Sequence, residues 1–260
     1  MGAQRFRVIA VGAGARRAFL SQWPTHNETQ RRTLSVQRDD RHRLQKPTLP
    51  LFSMPTKTPP PRIFLLSPAH CGGKRAELLL SERAAFPLAV RLRSTSGVPL
   101  GEAFSFLSGL YFRGKLAYAE RFARPPAGVA GVQVITTDRG LLCGDAPVGI
   151  EDLRRFGTVD ISQDHPDYRL PLERDTKLLR QLENVEVVLL GSVATGKYVD
   201  VLLEIMGDRL LFPTDFVGRG DMSRGALLLR SVRKDAELTY EPVAGATRRG
   251  SRARKVSVEG

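Results

Sequence analysis

Residues 185–206 read VEVVLLGSVATGKYVDVLLEIM, and the fold turns on how this stretch is read. A continuous apolar run of strand length comes first. A loop bracketed by Gly191 and Gly196 follows, and then an apolar-periodic segment of the kind that forms a helix. Strand, phosphate-sized loop and helix start thus follow one another. Main-chain N–H groups in such a loop, pointing the same way as a helix N-terminus, make a site for an anion, and Lys197 adds positive charge beside it. The loop spells G-x-x-x-x-G-K-Tyr from Gly191 to Tyr198, one residue away from the nucleotide P-loop, whose final Ser or Thr holds magnesium. A phenol is too long and too weakly basic for that task, which argues against a conventional ATPase or GTPase. The nearest partner strand ending in Asp is residues 210–215, and its Pro213 lacks a ladder donor. A tight loop with Lys197 as a solvated cap is the competing reading.

Working outward, residues 62–66 and 131–136 are two more strand-like apolar runs, each broken by a polar turn. Residues 74–91 carry a helical pattern that Pro87 should kink or divide. Helices are also expected at 99–107 and 110–122, with Gly109 between them, at 148–156, and at 171–183. On the last of these Leu172, Leu178, Leu179 and Leu182 face inward. Residues 141–145 read as loop, 157–170 as a polar region with His165 facing solvent, and 209–212 as a strand. Residues 218–225 read as a glycine-rich loop, and 226–232 and 237–240 as edge strands. Strands near-continuous in apolar residues and alternating with helices predict an α/β fold: a mostly parallel sheet with helices on both faces, as a single domain over residues 62–242.

The chain has 260 residues, and its 42% hydrophobic content suffices for a core. No apolar run approaches the roughly 18 residues a membrane span requires, so no membrane partner and a cytoplasmic setting are expected. Two cysteines and four histidines are too few for a disulfide framework or a ribbon-type zinc site. The formal charge of +13 sits at the ends. Residues 1–53 hold ten Arg/Lys against three acids, and residues 243–260 five against one, which leaves +2 for residues 54–242. Residues 1–61 read as a disordered extension running into a proline-rich stretch, and 243–260 as a flexible basic tail. Met54 is a candidate natural start, with a genuine basic arm as the alternative.

In parallel sheets the ligand site lies beyond the carboxyl ends of the strands. Three predicted strands end in loops 67–74, 136–140 and 191–197, which should cluster at one edge. The first brings Ser67, His70, Cys71 and Lys74, and the second Asp138 and Arg139. The third brings Gly191, Ser192, Thr195, Gly196, Lys197 and Tyr198. The 218–225 loop is a candidate lid, whose glycines with Arg219, Ser223 and Arg224 suit close approach to a phosphate. A structural hairpin held by Asp221 is the alternative.

Cys71 and Asp138 stand nearest to chemistry. His70 and Cys71 are adjacent in sequence, so their side chains diverge and make no nucleophile pair by themselves. Cys71 is either a packed residue or a thiol activated at a helix N-terminus after Gly72 and Gly73. Asp138-Arg139 is either a site pair or an ordinary surface turn. No metal and no cofactor is implied.

With these pieces in order, residues 62–230 resemble the YaaA peroxide-stress family and related uncharacterised bacterial α/β proteins. The likeness rests on Leu66-Ser67-Pro68-Ala69, on Thr136 to Leu142, on Leu190-Gly191-Ser192 with Tyr198, and most specifically on Arg219-Gly220-Asp221-Met222-Ser223-Arg224. It implies a DNA-associated protein with a helix-hairpin-helix element and a role in oxidative stress, and makes the apparent P-loop a family tyrosine turn. The hairpin candidate is residues 106–117, where Gly109 permits the turn and Arg113 and Lys115 add charge towards phosphate. Two amphipathic core helices explain that segment equally well. Two functions follow: a stress-associated protein binding DNA or another phosphate-bearing ligand at the sheet edge, or an enzyme acting on a nucleotide, nucleoside or phosphorylated metabolite.

Overall fold

The computed structural model describes residues 59–247 except Gln163 and Thr195. In chain order these residues form β1 (Arg62–Leu66), α1 (Lys74–Leu80), α2 (Pro87–Leu92), β2 (Val98–Pro99), α3 (Leu100–Ser108), α4 (Leu110–Phe122), β3 (Val132–Ile135) and β4 (Leu141–Cys143). There follow β5 (Pro147–Val148), α5 (Ile150–Thr158), α6 (Pro166–Arg180), β6 (Glu186–Leu190), α7 (Gly196–Met206), β7 (Leu210–Pro213), α8 (Asp221–Lys234) and β8 (Tyr240–Pro242). The expected disorder of residues 1–58 and 248–260 lies outside the described residues.

The main sheet has the order β4-β3-β1-β6-β7-β8, and β2 and β5 pair separately. Its four inner strands run parallel, and β4 and β8 are antiparallel edges. Every residue of β1 is buried, as suits a strand covered on both faces. The period of two divides it. Phe64 and Leu66 join Val188 and Leu190 in a core closed by α1 to α5 and α8, while Ile63 and Leu65 join Val187 and Leu189 in a second core closed by α6 and α7. Each such large apolar side chain contributes about 1.5–3 kcal/mol on burial, so the three-layer arrangement rests mainly on these two cores.

The structure corrects several boundaries. Pro87 divides the expected 74–91 helix and becomes the first residue of α2, where its missing N–H costs nothing. Residues 141–143 are a strand and not a loop: Gly140, at φ +73°, turns the chain back along β3, and the Asp175 carboxylate accepts the Leu141 N–H at 2.9 Å. The helix expected from Pro171 starts at Pro166, with Pro171 inside it, because Tyr168 already faces the core. Residues 226–232 belong to α8 and are no edge strand. Arg224, Gly225, Leu228 and Ser231 face inward at helical spacing, which a short apolar run conceals. Order also continues past residue 242, since Val243 is fully buried and its N–H donates to the Leu210 carbonyl at 2.8 Å. Pro213 fits β7 because it lies beyond the residues that pair with β6.

Candidate functional site

From β1 the chain crosses to β3 on one side, and from β6 it crosses to β7 on the other, so the connections diverge between the adjacent strands β1 and β6. A crevice opens at such a switch point. A cleft of about 310 Å³ lies there, lined by Ala69, His70 and Cys71 after β1, Thr137 after β3, and Lys197 at the start of α7. Residues 156–161, the last turn of α5 and its exit, close the remaining wall. All three strand-end loops therefore meet in one place.

The cleft separates the candidate residues into groups. His70 is exposed and its ring lies over Gly72 and Gly73, while Lys197 is exposed at the opposite lip. Cys71 lines the cleft as a packed residue: burial pushes its thiol up to about 12, opposite to what a nucleophile requires. Thr137 donates its hydroxyl to the Phe156 carbonyl at 3.0 Å, tying the β3 loop to α5. Asp138 is buried behind this wall. Its Oδ2 lies 2.5 Å from Arg155 Nε, and Arg139 spans Asp138 and Asp152. Neither Asp138 oxygen has a hydrogen bond of good geometry, so the contacts are ionic in character. Arg139 also lies over the Phe156 ring at 5.3 Å, so this pair clamps α5 to the sheet edge.

Beside the cleft lies a second, buried group. Ser67 ends β1. The Lys115 ammonium, from α4 on one face of the sheet, donates to the Ser67 carbonyl at 2.6 Å and to Ser67 Oγ at 2.8 Å. From the other face Tyr198 reaches the same serine, and its hydroxyl donates to the Ser192 carbonyl at 3.0 Å. Gly191 makes room for this meeting, since a Cβ there would lie 2.8 Å from the Tyr198 hydroxyl and 2.9 Å from Ser67 Cβ. Burial drives the Lys115 amine down to about 7; Arg224 pushes the same way and Asp221 opposes. Tyr111 brings to this group a buried hydroxyl without a hydrogen-bond partner, next to the Arg224 guanidinium, and burial pushes that phenol well up.

Several expected ligand residues do not line the cleft. Lys74 is exposed at the start of α1. Ser192 Oγ accepts from the Ala194 N–H at 3.4 Å, and Gly196 opens α7 with the Asp200 carboxylate folded against it. Thr195 lies outside the described residues. The glycine-rich segment expected as a lid is instead the start of α8. There Arg219 donates to the Asp215 carbonyl at 2.7 Å and to Ser223 Oγ at 3.4 Å, and Arg224 is buried with two donations to the Phe216 carbonyl. The expected DNA-facing hairpin is corrected as well. Gly109 is buried, donates its N–H to the Ser105 carbonyl, and would meet Arg75 with any Cβ; Lys115 is 1% exposed. Arg113 stays on the surface. Residues two apart on a helix point to different faces, so Arg113 and Lys115 never formed one basic patch.

The 156–161 wall and the place of Lys115 escaped the sequence reading. A signal for the second existed, because Tyr111, Lys115, Tyr118 and Phe122 share one helical stripe in which lysine is the exception. Among the described residues no three His, Cys, Asp or Glu side chains gather as a metal site requires, and no helix is long and apolar enough to cross a membrane. Comparison with family models, with curated proteins and with solved structures found no match. Fold and cleft define the class: an α/β protein with a mixed, mostly parallel sheet and a cleft at its carboxyl edge.

Proposed function

We propose that the protein binds a small phosphate-bearing metabolite, a nucleotide or a phosphorylated nucleoside or sugar, in the cleft at the end of β1. One observation carries this reading: loops after β1, β3 and β6 line a single cleft of about 310 Å³ at the switch point of the sheet. That volume is at the lower end of the range of small-ligand sites and far below what a nucleic-acid duplex fills. Lys197 supplies the charge for the phosphate, and His70 and Thr137 flank the remainder. The Asp200 carboxylate against Gly196 opposes an anion at the helix end itself, which leaves the ammonium of Lys197 as the anchor. The YaaA-like assignment is part of the proposal and draws on Ser67, Tyr198 and Arg224 standing together around Lys115. With Lys115 inside, DNA binding has lost its hairpin argument.

Thermal melting with inorganic phosphate and a panel of nucleotides tests the reading. A ligand present at about 100 times its Kd stabilises the native state by about 2.7 kcal/mol, and Lys197→Ala should erase most of the shift. Unchanged melting of the wild type with every compound would overturn it.

A further inference from the structure

The Ser67 cluster calls for an explanation that ligand binding in the cleft does not supply. Lys115 is 1% exposed and, among the described residues, makes no ion pair. Two of its protons go to the oxygens of Ser67, and the rings of Tyr111 and Phe112 lie 4.6 and 4.7 Å from the nitrogen. An apolar side chain would pin α4 to the sheet without the cost of dehydrating an amine. From the contact of Lys115 Nζ with Ser67 Oγ at 2.8 Å, buried between the two faces of the sheet, we infer that the two residues are a serine–lysine catalytic dyad that cleaves a small carboxylic ester or thioester. The inference is independent of phosphate binding, since Ser67 can be acylated whether or not Lys197 holds an anion.

The chemistry requires a neutral lysine. Burial and Arg224 favour the neutral amine, Asp221 on α8 favours the charged one, and the phenols of Tyr111 and Tyr198 stand on α4 and α7 around them. With the resulting value of about 7, a substantial neutral fraction exists near neutral pH. Neutral Lys115 then takes the Ser67 hydroxyl proton while Oγ forms a bond to the acyl carbon. The bond from that carbon to the leaving alcohol or thiol breaks, and the leaving group takes the proton back from Lys115. Water, deprotonated by the same amine, next attacks the acyl-serine, releasing a carboxylic acid and restoring Ser67. Tyr198, whose hydroxyl stands close to Ser67 and donates to the Ser192 carbonyl, is a positioning residue that packs against the serine. Ser67 keeps 6% of its surface open and Ala69, two residues on, lines the cleft, so the substrate is small at its reacting end.

The test is covalent labelling of the full chain with diisopropyl fluorophosphate, read by peptide mass, beside hydrolysis of p-nitrophenyl acetate. The expected result is one adduct on Ser67 whose rate of formation climbs as pH passes about 7. Ser67→Ala should abolish the adduct. Lys115→Arg, which keeps the donor and the charge but cannot serve as base, should slow labelling by about 100-fold or more. A wild-type Ser67 left unlabelled from pH 6 to 9 overturns the inference, and so does wild-type labelling at a rate independent of pH. Because the wild-type profile alone decides, a variant that fails to fold does not leave the matter open. Melting shifts with phosphate are read separately, so either proposal can fail without the other.

Discussion

Moving the Lys115 amine out of water costs free energy whenever it carries a proton, and this ties stability to pH. Below about pH 7 the amine is charged in both the folded and the unfolded chain, and the burial cost is felt in full. As pH rises from there towards the ordinary lysine value of 10.5, the folded form sheds the proton while the unfolded form still holds it, so stability increases. Lys115→Met removes the titration. The wild type should therefore gain on that variant by on the order of 1 kcal/mol per pH unit above neutrality, measured by urea unfolding at pH 7 to 10. A stability difference that stays constant would mean an amine of ordinary basicity. Cys71 shows the same force acting on an acid, since burial raises its thiol and keeps it inert at the wall of the cleft.

Helices α4 and α8 cross closely enough that their backbones touch. A Cβ on Gly114 would lie 2.7 Å from the Gly225 carbonyl oxygen, and one on Gly225 would lie 2.8 Å from the carbonyl oxygen of Leu110. Gly225→Ala should force the helices apart at a cost of about 1–3 kcal/mol, despite the better helix propensity of alanine. Gly220→Ala, where a Cβ meets nothing within 4 Å, should cost less than about 1 kcal/mol. Equal melting temperatures for the two variants would refute the crossing. The approach also sets the site, because Gly114 precedes Lys115 and α8 carries Arg224 and Asp221. Helix and strand type was legible where an element is long and periodic, as in α4 and α7. It was not at residues 141–143 or 226–232, where only the Gly140 turn and the contact with α4 decide the state.

For the whole molecule, charge and cleft are separate matters. The unbalanced positive charge lies before residue 54 and after 242, and the domain between carries +2. The full chain should therefore bind duplex DNA with an affinity that falls steeply with salt, and a protein trimmed to residues 59–247 should lose that binding while keeping the phosphate-dependent melting shift. Tight, salt-resistant binding by the trimmed protein would reinstate the domain as a DNA reader. The sequence by itself determined the alternation of strands and helices, the parallel core of the sheet and the edge at which its loops meet. Periodicity and burial on both faces are local properties, and parallel strands must place their carboxyl ends together. Tertiary structure alone decided which groups face each other there. It set Lys115 against Ser67, drew Tyr198 from the opposite layer towards the same serine, and left Lys197 at the lip. The direction of a side chain depends on how its helix is rotated against partners distant in sequence; the apolar stripe of α4 marks the face that carries Lys115 but not the group it meets there.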